Sequence, residues 1–458
     1  MTRNLIQFSK LCLLVIASCI ALLWPALYNG YPLVYSDSGV YIFTGFLNEV
    51  PVDRPIGYSL FVRHMSLKYS LWIVLFIQAL IVTYVLYMTV RRFNFKHSLA
   101  STAVIITILS FTTGISNYTS QIMPDIFSAV VILGTAVILT SKMIKIKEWI
   151  LFVFIVFGAI SHLSNVIVLI GVALIVIMAW IFKVVDRKTM FKALIIGVVP
   201  VLTLVSINKI YIGSFKMSRA SNVFLIGRLI EVGVIKDYLN ENCAKTDYVL
   251  CDEIEQIPNH AWVFLWDAES PLYKNGCNDF GMAYCWEEKN DKFGVLINDV
   301  LSESKYRNKV IKTCTIDFFR QLIDFKIGGL VPQRETSAVQ LRIEDHFKNE
   351  VSEYKNARQY KSTLEFETMS LIQLFMVVTS LFIIVSGFIF WKRINLTKDH
   401  SRLIFFLLIG VLGNALTVVM FSAVLDRYQS RVIWILPLIG FIFICKYLVE
   451  KSNLKMNS

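Results

Sequence analysis

The sequence predicts a mainly α, polytopic transmembrane helical protein of about ten spans, one short or broken, with an extracytoplasmic soluble domain inserted before the last three. Three observations predict it. The 458 residues are 56% hydrophobic and only 17% charged, with a mean hydropathy of +0.60; soluble domains carry nearer a quarter charged residues. The apolar residues come in blocks, most of them near the length needed to span a bilayer. Lys and Arg gather in the connections between alternate blocks, as in loops that stay cytoplasmic.

The blocks fall at about 11–28, 71–90, 99–115, 125–140, 149–160, 163–182, 193–212, 369–390, 403–424 and 432–449. The first resembles a signal peptide, but it runs long, lacks a small-x-small cleavage pattern and is followed by further spans. It is therefore read as a retained helix. The block at 149–160 gives only ~18 Å of helix, and Ser161-His162-Leu163-Ser164-Asn165 interrupts the run. One continuous helix from 149 to 182 would put two basic loops on opposite sides. A broken pair keeps them together, and broken helices are tolerated where they line a water-filled cavity.

The basic connections are Arg91-Arg92 with Lys96; Lys142, Lys145 and Lys147; Lys183, Arg187, Lys188 and Lys192; and Lys392, Arg393, Lys398 and Arg402, with Lys446, Lys451 and Lys455 in the tail. With both termini cytoplasmic, all of these lie inside. Residues 213–367 hold 20 Lys/Arg against 24 Asp/Glu, leaving +16 on the rest of a chain whose net charge is +12. The basic balance thus reports topology and not a nucleic-acid partner. Three regions follow: an N-terminal transmembrane module (1–212) whose first outer loop spans 29–70, an extracytoplasmic domain (213–367), and a C-terminal transmembrane module (368–458). The expected location is a bacterial inner (plasma) membrane.

In the 213–367 region, Cys243, Cys251, Cys277 and Cys285 form two close pairs. In an oxidising compartment Cys243–Cys251 and Cys277–Cys285 are the local disulfides, although four cysteines allow three pairings. Their spacings of eight do not match zinc sites. Cys314 is left over. A helical pattern runs from Asn222 to Leu239, and Trp262-Val263-Phe264-Leu265-Trp266 is an aromatic knot, either core or a stacking surface for sugar. The charged 334–366 stretch reads as solvated helix or linker.

The residues that could carry chemistry collect on the outer side. The first outer loop reads Tyr31-Pro-Leu-Val-Tyr-Ser-Asp-Ser-Gly-Val-Tyr41, then Val52-Asp-Arg-Pro-Ile-Gly-Tyr-Ser-Leu-Phe61. Met123-Pro124-Asp125 opens the fourth block, and Asp426-Arg427-Tyr428-Gln429-Ser430-Arg431 precedes the last. An acid beyond the first span, a Pro-x-Gly-Tyr stretch before the second, and a late Arg-Tyr segment together resemble the GT-C class of membrane glycosyltransferases. Protein O-mannosyltransferases and lipid A aminoarabinose transferases belong to that class. The order and sidedness of these segments cover most of the membrane portion, whereas a soluble domain in mid-chain departs from the layout of those families. The resemblance implies a polyprenyl-phosphate sugar donor and a glycan, lipid or protein acceptor, with Asp37 as catalytic base and Asp125 as a second catalytic acid residue.

Chemistry supports the same residues. Transfer from a lipid-linked phosphate requires a carboxylate to take the acceptor's proton and cations to meet charge on the departing phosphate. Arg427, Arg431 and Arg54 are the phosphate ligands, since guanidinium forks match phosphate oxygens. Ser36, Tyr41, Tyr58, His64, His162 and Tyr428 are further cavity candidates. Each has a plainer reading: Asp37 as a helix cap, Asp53 as a turn acid, Asp125 as a helix-start acid, the late arginines as interface anchors. Asp37 with Asp125 is a thin basis for a divalent cation in the absence of a D-x-D pair, so no metal is assigned and no cofactor is expected. Three rivals predict different signals. A polymerase or ligase of lipid-linked polysaccharide rests on late Arg and His, a transporter or flippase on repeats and mid-span charge, and a non-catalytic envelope assembly protein on no shared site.

Overall fold

The computed structural model describes residues 2–274, 282–391, 394 and 396–456. The N-terminal module consists of α1 (Thr2–Asn29), α2 (Ser38–Leu47), α3 (Gly57–Met65), α4 (Leu71–Arg91), α5 (Ser98–Thr112), α6 (Ile115–Thr119), α7 (Ile126–Thr140), α8 (Ile146–Ser161), α9 (Leu163–Ile181) and α10 (Arg187–Ile212). The middle region adds α11 (Ser221–Val232), α12 (Val234–Asn242), α13 (Ala261–Trp266), α14 (Met282–Ser302), α15 (Ser304–Ile323), α16 (Ala338–His346) and α17 (Val351–Asn356). The chain then forms α18 (Glu367–Ile389), α19 (Lys398–Phe421), α20 (Asp426–Ile433) and α21 (Ile435–Met456).

Seven helical stretches among the described residues are long and apolar enough to cross a membrane: Gln7–Asn29, Leu71–Arg91, Leu163–Ile181, Arg187–Ile212, Glu367–Ile389, Lys398–Phe421 and Asp426–Lys451. The other three expected blocks are α5, α7 and α8, of 15, 15 and 16 residues. At roughly 22–24 Å each they fall short of a ~30 Å hydrocarbon core. Thr113, in extended conformation, stops α5. Pro124 lies just upstream of α7, where it lacks an N–H for the helix to use. A single extended residue, His162 (φ −151°, ψ 117°), separates α8 from α9, so the 149–182 run is two helices. The helix α7 is apolar on every face and buried at every position except Thr140, as befits the centre of a bundle. Around it pack α4, α8, α10, α19 and α20.

The 213–367 region divides in two. Residues from about 220 to 310 enclose their own core of Ile226, Leu239, Phe264, Trp286, Phe293 and Val300. The expected continuous helix over 222–239 breaks at Gly233 (φ +76°), whose left-handed backbone ends α11. Of the aromatic knot, Phe264 and Leu265 are buried, while Trp262 and Trp266 are exposed. Cys243 and Cys251 form a disulfide; the expected Cys277–Cys285 pairing involves Cys277, which lies outside the described residues. Cys314 is a free thiol within hydrogen-bonding distance (3.6 Å) of the Val419 carbonyl of α19.

Residues 325–357 instead join the main core through Phe325, Val339, Ile343, Phe347 and Tyr354. Of the two readings of the charged 334–366 stretch, the helical one holds in part, since α16 and α17 lie in it with exposed charges on one face, but the other face is packed on the core and the stretch is not a linker. Buried Glu350 accepts a hydrogen bond from Tyr31 Oη at 2.8 Å. Gln359 Nε2 donates to the Val34 carbonyl at 2.6 Å, and the Gln359 amide N–H reaches Asn29 Oδ1 at 2.7 Å. This segment clasps the loop that follows α1.

Candidate functional site

Backbone pairing brings the loop after α1 to the start of α7. Leu33 and Gln121 form a parallel bridge, with Leu33 N–H to Ser120 O and Ile122 N–H to Leu33 O both 2.9 Å. Ser38 locks the next turn. Its hydroxyl accepts from Tyr35 N–H and donates to the Ile122 carbonyl, each at 2.9 Å. Asp37 and Asp125 are thereby carried toward each other. Both stand at helix N-cap positions, yet neither side chain makes a capping hydrogen bond. The cap reading of Asp37 therefore fails, and its carboxylate is left for other partners.

The Pro-x-Gly-Tyr stretch has a steric explanation. A Cβ on Gly57 would collide with the Ile160 carbonyl oxygen, so only glycine lets α3 lie against the end of α8 beside His162. The following Tyr58 is buried. It donates to Gln78 Oε1 at 2.6 Å and meets Tyr41 edge-on at 5.0 Å. Gln78 in turn donates to the carbonyls of Thr119 and Gln121, at 3.0 and 3.1 Å.

Six charged side chains from four segments alternate in sign. Arg54 Nε lies 2.9 Å from Asp53 Oδ2, and Arg54 Nη2 lies 3.4 Å from Asp37 Oδ1. Arg427 bridges the two candidate acids, with Nη1 3.6 Å from Asp37 Oδ2 and Nε 3.6 Å from Asp125 Oδ1. Arg431 Nη1 closes the series 3.2 Å from Asp125 Oδ1. Exposure grades along it: the Asp37 side chain is 27% exposed and Arg427 16%, while Asp125 and Arg431 are at 0%.

Arg431 is fixed from three further sides. Its Nη1 is 3.1 Å from His162 Nε2, and its Nη2 donates to Ser164 Oγ at 3.2 Å and Asn414 Oδ1 at 3.0 Å. A guanidinium only donates. His162 Nε2 therefore accepts, its proton sits on Nδ1, and that N–H donates to Ser164 Oγ at 2.8 Å. The break between α8 and α9 thus supplies two ligands to a buried arginine. Arg427 lies between rings, 4.4 Å from the centroid of Tyr35 and 5.5 Å from that of Tyr428. Arg427 Nε and Nη1, Arg431 Nε and Asp125 Oδ2 are buried without a hydrogen-bond partner among the described residues. Buried polar atoms seldom remain so unless a ligand, ion or water meets them.

In the loop, burial opposes the charge on Arg54, but Asp37, Tyr41 and Asp53 outweigh it and hold the guanidinium well above its ordinary value. Arg54 also stands 5.0 Å over the ring of Tyr41, whose hydroxyl burial pushes up.

Of the sequence candidates, Asp37, Arg54, Asp125, His162, Arg427 and Arg431 meet in this network, with Tyr41, Tyr58 and Tyr428 around it. Ser36 is exposed beside Asp37, and His64 is exposed in the last turn of α3; neither takes part in these ion pairs. Sequence reasoning missed Ser164 and Asn414 and left Asp53 as a turn acid. Asn414 had a signal, an amide in the middle of an otherwise apolar helix. Both candidate acids face guanidinium groups, and among the described residues no group of three or more His, Cys, Asp or Glu is placed so that it could hold a metal ion. No protein-family model, curated protein or solved structure matches the chain.

Proposed function

We propose that this chain is an integral membrane glycosyltransferase of GT-C type, moving a sugar from a polyprenyl-phosphate donor to an extracytoplasmic glycan, lipid or protein acceptor. In this reading both termini are cytoplasmic, the network faces the outer side, and the membrane is a bacterial inner membrane. The observation that carries it is the junction of Asp37, Arg427 and Asp125. A first-loop carboxylate, half-open to solvent, shares one arginine with a fully buried acid from a distant segment.

Each group then has a task. The acceptor hydroxyl passes its proton to Asp37 as its oxygen bonds to the sugar's anomeric carbon. The bond from that carbon to the phosphate oxygen breaks, and its electron pair stays on the phosphate. Arg427, with two N–H groups lacking hydrogen-bond partners, meets that charge. Arg54 orients Asp37 from its other side. Asp125 and Arg431 are positioning residues that hold Arg427 through the buried end of the network.

The test is reconstitution of the purified chain in liposomes with a radiolabelled polyprenyl-phosphate sugar. Acceptor-dependent release of sugar from this donor, with none from a nucleotide sugar, is the expected result. Release from a nucleotide sugar instead, or from neither, contradicts the proposal.

A further inference from the structure

At the far end of α7 from Asp125, roughly 22 Å away along the helix, lies a cavity of about 220 Å³. It sits between the end of α7, the connection from α9 to α10, and the start of α19. Lys142, Lys188, Lys192 and Arg402 line it against Asp186 and Asp399. One of the two acids is already engaged: Asp186 Oδ1 accepts the Thr189 N–H at 2.7 Å and caps α10. The carbonyls at the end of α7, which would repel an anion, are also covered. Arg92 donates to Thr140 O and Lys192 to Ser141 O. Both α10 and α19 begin here, so two helix N-termini add positive potential. The volume is about seven waters' worth, more than a bare phosphate needs and enough for a phosphate carrying a small alcohol.

The rim of the same end is apolar. Met143, next to Lys142, and Phe182 and Val184, just before Val185 of the cavity wall, are 70%, 71% and 65% exposed. A charged cleft with an oily edge fits a headgroup whose tails lie along the bundle.

We infer that this cavity is a second binding site, which takes a phosphate-bearing anion between Lys142, Lys188, Lys192 and Arg402. It is independent of the sugar-transfer reading, because it shares no residue with the Asp37–Arg431 network. Two sources offer this chemistry, the headgroup of an anionic phospholipid and free phosphate, and the experiment separates them.

The purified full chain in neutral detergent is titrated with phosphatidylglycerol, with phosphatidylcholine, and with inorganic phosphate against sodium chloride of equal ionic strength. The readout is the thermal unfolding midpoint. Phosphatidylglycerol is expected to raise the midpoint and phosphatidylcholine to leave it unchanged. In Lys188→Gln/Arg402→Gln the half-effective phosphatidylglycerol concentration should rise about tenfold or more. A control of equal charge loss at the same end and outside the cavity lining, Lys96→Gln/Lys147→Gln, should stay within about twofold of the unmodified chain, since charge outside the cavity contributes little specific binding. A response to inorganic phosphate that the first double variant loses supports the site with a soluble ligand; a response to phosphatidylglycerol alone supports it with a lipid one. All four substituted side chains of the two variants are exposed, and midpoints without ligand check their folding. Lys142→Gln alone, expected to weaken binding several-fold, repeats the test if the double variant folds poorly. The inference is overturned if neither anion acts beyond matched salt, or if the control loses as much as the cavity variants.

Discussion

Arg431 and Asp125 form an ion pair of 3.2 Å with both side chains at zero exposure. Breaking one member of such a pair leaves an uncompensated buried charge, which costs about 3–5 kcal/mol. Asp125→Asn and Arg431→Met should each lower the thermal midpoint of the purified chain sharply. The double variant should be less destabilised than the sum of the two, by about 1–3 kcal/mol of coupling. Strict additivity would show that the two residues are held by other contacts.

Arg427→Lys tests the bridge between Asp37 and Asp125. Lysine keeps the charge but not the planar fork, so one ammonium cannot reproduce contacts made through both Nε and Nη1. Sugar transfer should fall by about 100-fold or more, with the thermal midpoint nearly unchanged because the side chain is partly open. Unaltered transfer would remove Arg427 from the phosphate site.

Gly57→Ala drives a methyl group into the Ile160 carbonyl. It should destabilise by about 1–3 kcal/mol and displace α3 from the break that holds His162, lowering transfer as well. Gly171→Ala is the matched control. It has nothing within 4 Å of the added carbon and lies inside α9, where alanine favours the helix by about 1 kcal/mol. Equal responses in unfolding assays would argue against the steric account.

A carboxyl pair sits at the entry to α20. The Asp324 carboxyl is pushed up from its ordinary 3.8 to about 6, first by its hydrogen bond with Asp426, then by burial and by the charge of Asp426. The folded protein therefore binds an extra proton between these values. The stability from this pair is fully present below about pH 4 and is lost as pH rises through about 6. The drop in unfolding midpoint between pH 5 and pH 7 should be smaller in Asp324→Asn, whose amide still donates to Asp426. An unchanged pH slope would rule the pair out.

The sequence made some of this legible and hid the rest for physical reasons. Apolar block length marks helices well, so all ten blocks are helical, but it slightly overstates α5 and α7, bounded by Thr113 and Pro124, and understates α8, which starts at Ile146 and runs to the break at His162. The acids and arginines of the network were legible as residue types near span ends. Their pairing was not, because it depends on a backbone bridge at Leu33 and Gln121, 88 positions apart in sequence. Charge density indicated the exposed faces of α16 and α17 within 334–366 but hid the inner side of the stretch, where Glu350 and Gln359 are buried by partners in the first loop. Close spacing in sequence suggested the Cys243–Cys251 disulfide, one of three pairings that four cysteines allow, and the structure forms it. The division of the 213–367 region into two cores left no trace in composition.

The central claim is that Asp37 is the base. Its side chain is the most exposed carboxylate of the network and makes no cap hydrogen bond, so Asp37→Asn removes the base with little effect on folding. The decisive measurement is acceptor-dependent sugar release from a polyprenyl-phosphate donor by this variant in liposomes, with its unfolding midpoint taken on the same preparation. The account predicts a loss of about 100-fold or more at a midpoint close to that of the unmodified chain. Release within a few-fold of the unmodified chain would contradict it.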